Sequence, residues 1–253
     1  MSIASLIAHS IVPKKLNGIL TDVIESGKLE AKQDPKLKYR PALGGVSCMW
    51  YLGTACTLSC KVWKDGKPYI LQNAHCGFPF WEGAKVNDSI LQPSPFDGGK
   101  RKDQIGKAFT HIPLEVNKEN LADVCLVEIL APQDVSDEIL GIGKFEPEIK
   151  EVKLGQTIYK SGRTSGLTFG KVIAIKSTTT VWYDWQGEKK VLTFKDQIIT
   201  KAFVQGGDSS SLGLLKVNKK YYPCGLVFAG SDEISILNRI QNVAQLLGFR
   251  FLQ

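Results

Sequence analysis

The chain has 253 residues, 43% of them hydrophobic and 23% charged, the balance of an ordinary globular protein with room for one large core or two modest ones. Its 24 glycines and 11 prolines argue for many short strands and turns and against a helical bundle. The net charge is +7, but the clusters Lys36–Arg40, Lys100–Lys102, Lys189–Lys190 and Lys219–Lys220 are short. No zinc-finger or RNA-recognition signature accompanies them, so a nucleic-acid partner is not expected.

The first segment, MSIASLIAHSIVPKK, has Lys14 and Lys15 behind its apolar stretch, with His9 interrupting it. A secretory signal carries its charge in front. No run is long enough for a transmembrane helix, and a cytoplasmic protein without membrane partners is predicted. Residues 1–45 read as an N-terminal arm: Ser2–Ile11 is a candidate amphipathic helix, Leu20–Ile24 is mixed, Lys28–Arg40 is polar, and Pro41 with Gly44-Gly45 marks the boundary.

From Val46 onward the texture is β. Leu58–Trp63 alternates, Asp65-Gly66 supplies a tight hairpin turn, and Tyr69–Leu71 resumes the strand. Residues 77–104 read as long loops, Val124–Leu130 as a buried strand, and Asp134–Glu151 as a link between two halves. The second half supplies Thr157–Lys160, Lys171–Ile175, Val191–Phe194, Ile198–Phe203, Leu212–Val217 and Gly225–Phe228. The three glycines between Gly162 and Gly170 predict a tightly packed hairpin. Ile236, Ile240, Val243 and Leu247 recur at helical spacing, with Ser235 or Asn238 as N-cap and Gly248 as stop. The predicted fold is all-β: two six-stranded antiparallel β-barrels, over residues 46–150 and 151–253, with a C-terminal α-helix.

Six cysteines (Cys48, Cys56, Cys60, Cys76, Cys125 and Cys224) default to buried free thiols in such a protein. Cys56 and Cys60 are four apart, but the only nearby histidine is His75, so a zinc site is not expected.

Three segments carry chemistry. His75 ends the strand Ile70-Leu71-Gln72-Asn73-Ala74-His75-Cys76. Asp123 opens the buried strand Val124–Leu130. Ser209 sits in the Gly-rich turn Gln205-Gly206-Gly207-Asp208-Ser209-Ser210-Ser211. Each alone is ordinary: a strand-end histidine, a solvated aspartate, a loop serine. In the order His, Asp, Ser they resemble the trypsin/chymotrypsin superfamily of serine peptidases. Asn73-Ala74-His75-Cys76 is similar to that family's Ala-Ala-His-Cys, and Gly207-Asp208-Ser209 to its Gly-Asp-Ser. Gly225–Ser231 resembles the strand lining its substrate cleft. Gly162–Gly170 and the Leu246–Phe249 tail resemble leaderless microbial and phage members.

The resemblance implies a serine endopeptidase needing no cofactor or metal and acting on protein or peptide substrates. A serine hydroxyl needs a base within hydrogen-bond reach; His75 has the ordinary pKa for that task, and Asp123 would fix its tautomer. The backbone N–H groups of Gly207 and Ser209 are the implied oxyanion donors. Phe203, Phe228, Ala229 and Gly230 are the implied substrate-binding residues; Phe203 stands where specificity for Lys or Arg requires an acid, so a small or apolar side chain is expected. The spacing of Cys60 and Cys76 matches the disulfide that brackets the histidine in secreted relatives, and here two reduced thiols are expected.

The pattern departs at Ser210, where the family has glycine, which leaves three adjacent hydroxyls to choose among. No cleavable start precedes Val46, so Asp208, which pairs with a new N-terminus in secreted relatives, is expected to make another contact. A catalytically silent member of the fold, used as a binding or scaffold module, is the alternative reading.

Overall fold

The computed structural model describes residues 15–20 and 33–252. In the first unit, strands β1 (Lys15–Leu16) and β2 (Ile19–Leu20) form a small hairpin. The expected helix Ser2–Ile11 and most of Leu20–Ile24 lie outside the described residues.

The second unit, Asp34–Gln253, contains two antiparallel strand systems. The chain passes through β3 (Ala42–Gly44), β4 (Met49–Trp50), β5 (Cys60–Lys64) and β6 (Lys67–Gln72), then the single turn α1 (Ala74–Gly77). It continues through β7 (Ser89–Leu91), β8 (Gln104–His111), β9 (Glu119–Asn120), β10 (Cys125–Ile129) and β11 (Val135–Ile139). The first sheet runs β4-β7-β8-β10-β6-β5. Its ends meet where Leu58 N–H donates to Val46 O (2.8 Å) and Cys48 N–H to Cys56 O (3.0 Å). Asp65 and Gly66, both at positive φ (49° and 75°), make the β5–β6 turn, as an Asp-Gly pair should.

The remaining elements are β12 (Thr157–Gly162), β13 (Gly166–Trp185), β14 (Glu188–Lys201), β15 (Leu212–Val217), β16 (Lys220–Gly230), β17 (Ile234–Arg239) and α2 (Ile240–Leu247). They pair as β13-β12-β15-β16-β17-β14, and a direct β13–β14 pairing closes the ring. Two six-stranded barrels and a C-terminal helix are therefore present. Beyond them, β9 adds in parallel to β14, and β11 pairs in parallel with β3.

The helix starts later than its periodicity predicts. Ile236 belongs to β17, hydrogen-bonded between β14 and β16; closing the barrel outweighs a local helical pattern. Ser235 and Asn238 are accordingly not caps: Ser235 Oγ accepts from Phe203 N–H (3.0 Å), and Asn238 reaches Asp123. Gly248 ends α2 as expected, at φ 66°. Residues 77–104, read as loops, contain β7 because Ile90 and Leu91 are buried against the first core. Among the described residues no helix is long and apolar enough to cross a membrane.

One core fills the first barrel around Val46, Leu58, Ile70, Ile90, Ile105 and Val127. Another unites both barrels, joining Leu71, Val124 and Leu126 to Leu212, Leu226 and the α2 residues Ile240, Val243 and Leu247. Each fully buried side chain of this kind contributes about 1.5–3 kcal/mol, so the shared core fixes the barrels against one another. The candidate residues lie along that seam.

Candidate active site

The meeting of His75 and Asp123 follows from strand register. Cys125 of β10 pairs with Gln72 of β6, and continuing two residues outward brings Asp123 opposite Ala74. There the Asp123 carboxylate, wholly buried, accepts at Oδ1 from the N–H groups of Ala74 (2.6 Å) and His75 (3.2 Å). Oδ2 accepts from His75 Nδ1 and from the Tyr183 hydroxyl (2.7 Å). Its main chain is braced as well: Asn73 Nδ2 donates to Asp123 O (2.7 Å), and Asp123 N–H donates to Asn238 Oδ1 (3.3 Å). Burial by itself would push the Asp123 carboxyl up. The His75 charge and ring N–H, the Tyr183 hydroxyl and the His75 main-chain N–H outweigh it and hold the carboxyl below the usual range.

Ser209 arrives from the second barrel. Leu212 pairs with Leu226, and the pairing is extended by Val227 N–H to Ser211 O (3.0 Å) and Ser210 N–H to Val227 O (2.9 Å). Thr57 of the first barrel clasps the turn, its N–H donating to Ser209 O (2.9 Å) and its hydroxyl to Gly207 O (2.9 Å).

The three neighbouring hydroxyls differ sharply. Ser210 is buried at φ 75°; its Oγ accepts from Asn73 N–H (2.8 Å) and donates to Asn73 Oδ1 (3.2 Å). Ser211 is buried and donates to Asp208 O (2.6 Å). Ser209 is half-buried and opens onto a pocket of about 350 Å³. Among the described residues, no hydrogen bond joins Ser209 Oγ to the His75 ring, and the N–H groups of Gly207 and Ser209 have no acceptor. The Ser210 side chain is thus engaged with Asn73 inside the protein.

No family model matches the chain, and neither does any curated protein. Solved structures do. Thermobifida fusca Protease A superposes with a TM-score of 0.57 at 18% identity, over 82% of this chain and 96% of that one. Cellulomonas bogoriensis chymotrypsin gives 0.58 at 17%, over 83% and 97%. Nocardiopsis protease gives 0.59 at 16%, over 82% and 97%. The fold is chymotrypsin-like.

Within this chymotrypsin-like frame, the substrate-binding expectations divide. Ala229 and Gly230 line the pocket beside Ser209, together with Val204, Gln205 and Asp232. Phe203 does not: its N–H is tied to Ser235 and its ring is buried against Gly170, leaving Val204 to face the pocket. Phe228 lines a different cavity, of about 640 Å³, shared with His75, Trp50, Trp81 and Trp182.

The cysteine expectation also needs correcting. Cys76 is bonded to Cys56, with Cα atoms 5.9 Å apart, inside disulfide range. Cys60 is a free buried thiol packed with Val62 and Leu71 in the shared core. Cys56 lies where the first barrel closes, next to α1, so it and not Cys60 reaches the residue after His75.

Asp208 makes its other contact inside the chain, with Lys160 Nζ (3.0 Å), both side chains wholly buried. Sequence reading overlooked Lys160, Tyr183 and Asn238. Lys160 had a signal: it stands two residues from Ile158 on the same strand face, and both are fully buried. Tyr183 had none, because only the pairing of the long β13–β14 hairpin carries it to Asp123.

Proposed function

We propose that the chain is a serine endopeptidase. Ser209 Oγ attacks the scissile carbonyl carbon while its proton passes to His75 Nε2. Asp123 holds the opposite nitrogen, Nδ1, protonated and stabilises the imidazolium. The tetrahedral oxyanion is received by Gly207 N–H and Ser209 N–H, which have no acceptor among the described residues. Collapse breaks the C–N bond, His75 gives its proton to the leaving amine, and water repeats the sequence to free Ser209. The observation that carries this reading is the wholly buried Asp123 carboxylate gripping His75 Nδ1. Burial of an ionised carboxylate is costly unless it is fully satisfied, and here four donors converge on it. Of the three adjacent hydroxyls, Ser209 Oγ is also the one without a hydrogen bond among the described residues, which supports it as the nucleophile.

The pocket beside Ser209 offers apolar walls in Val204, Val227 and Ala229, while Asp232 on its exposed rim attracts a cation. Peptide and protein substrates follow from the proposed chemistry.

A fluorescent fluorophosphonate probe tests the proposal. Wild-type protein is expected to be labelled on Ser209, mapped by mass spectrometry, and Ser209→Ala to be unlabelled. Failure of folded wild-type protein to label would overturn the enzyme reading. It would favour the binding-module alternative, whose specific support is the missing Ser209–His75 hydrogen bond.

A further inference from the structure

The cavity of about 640 Å³ is lined by His75 and not by Ser209, whereas the pocket of about 350 Å³ is lined by Ser209 and not by His75. The two meet along β16, where Phe228 lines the larger and its neighbours Val227 and Ala229 line the smaller. Successive side chains of an extended strand face opposite ways, and a peptide held extended across the site obeys the same rule. With the side chain of the cleaved residue in the smaller pocket, the side chain of an adjoining residue is directed to the larger one.

The walls of the larger cavity divide by chemistry. Trp81, Tyr183 and Phe228 are buried and supply its apolar part. Glu82, Trp182 and Asp184 are exposed and supply its rim. Trp182 and Asp184 stand two apart on β13, so an indole and a carboxylate share one face of the hairpin. The Trp182 side chain is 67% exposed and stacks on no other aromatic ring among the described residues, unlike Trp81, which stacks on Trp185. The Glu82 carboxylate has no partner among the described residues, and Asp184 accepts only from Gly187 N–H (3.1 Å). The chain carries 32 Lys and Arg residues, yet none lines this cavity; Lys189, opposite Asp184 in the hairpin register, is outside the lining.

An acidic occupant would be repelled by two carboxylates, and a wholly apolar one would strip water from them and give no partner in return. A long basic side chain suits every wall. Its methylenes pack on the apolar part, and its charged head meets the free face of an indole and two carboxylates. We infer that this cavity is a specificity site for a Lys or Arg side chain on the substrate residue adjoining the cleaved one, with Trp182, Glu82 and Asp184 as the residues that select it. The assignment rests on the serine-peptidase reading and narrows its substrate class.

The test uses internally quenched peptides with Ala at the cleaved position and Arg, Lys, norleucine or Glu at one or other neighbouring position. The quantity read is the ratio of kcat/KM for the Arg peptide to that for the norleucine peptide, which cancels any general loss of activity within each protein. Wild type is expected to favour Arg and Lys over norleucine at least about tenfold at one of the two positions, and to cleave the Glu peptide slowest. Glu82→Gln combined with Asp184→Asn should lower the ratio about fivefold, and Trp182→Ala should lower it by a similar factor. All three side chains are exposed, so these replacements leave the cores intact. A wild-type protein that is labelled on Ser209 by the fluorophosphonate but shows no preference for a basic neighbour would overturn the site and leave the peptidase reading standing. A preference that survives in both variants would overturn the assignment to these residues. Absence of labelling in wild type would instead remove the peptidase reading, and this inference with it.

Discussion

Replacing Tyr183 by Phe removes one oxygen from the molecule and tests how the Asp123 carboxylate is kept charged. The Tyr183 ring is buried, with ring centroids 5.6 Å from Trp81 and 6.0 Å from Phe194, and Phe preserves those contacts. Only the hydroxyl donating to Asp123 Oδ2 is lost. A hydrogen bond to a charged group contributes about 1.5–3 kcal/mol, and three other donors remain on this carboxylate, so the lower half of that range is expected at pH 7. The sign with pH follows by linkage. Asp123 is held below the usual carboxylate range in the folded protein, against about 3.9 when unfolded. Its contribution is complete above the unfolded value and is lost as pH falls through the folded pKa. Tyr183→Phe raises the folded pKa and so reduces that contribution. Urea unfolding of both proteins, stepped from pH 7 to pH 3, should give a stability gap of about 1.5–2 kcal/mol that narrows on acidification. Equal stability at pH 7, or a gap constant across the series, would refute the argument.

Two further outcomes follow from the buried polar and thiol groups. Burial pushes Cys48 and Cys60 up to about 12 and holds Cys125 and Cys224 well above the ordinary thiol range too, so an aromatic disulfide reagent at pH 8 should find no fast thiol in the native protein. It should find four in denaturant and six after reduction; six without reductant would contradict the Cys56–Cys76 bond. At position 210, Ser→Ala leaves Asn73 N–H and Oδ1 unpaired in the interior, at a cost of about 1–3 kcal/mol. Ser→Gly loses the same bonds but relaxes a backbone at φ 75°, so thermal stability should rank Ser, then Gly, then Ala. An Ala variant as stable as Gly would show that the left-handed backbone carries no penalty.

What could be read from the sequence was whatever local chemistry announces. Asp65-Gly66 forms its turn, and the apolar run after Asp123 becomes a central strand whose register faces that aspartate towards His75. The Gly-rich run before Ser209 becomes a sharp turn because its neighbours leave Gly207 no room for a side chain. Where the reading failed, long-range pairing had overruled a local pattern. Ile236 looked helical until β17 was needed between β14 and β16. Phe203, a pocket residue by resemblance, does not line the cavity beside Ser209, because its N–H is fastened to Ser235 and its ring turns inward, and Val204 lines it instead. The expectation of reduced thiols fails at Cys76 because spacing along the chain does not say that Cys56 lies across from α1.

The supports of Asp123 have a consequence for how the protein is made. His75 and Asp123 leave the ribosome before the groups that brace them, for the hydroxyl on the carboxylate belongs to Tyr183 and the amide bracing its main chain to Asn238, in β17. That strand also closes the second barrel. A nascent chain halted after Ser211 would already contain His75, Asp123 and Ser209 but would lack both Asn238 and the strand on which the Ser209 turn rests. The arrangement is thus completed only once β17 has been made, and products interrupted before it carry its parts without its geometry.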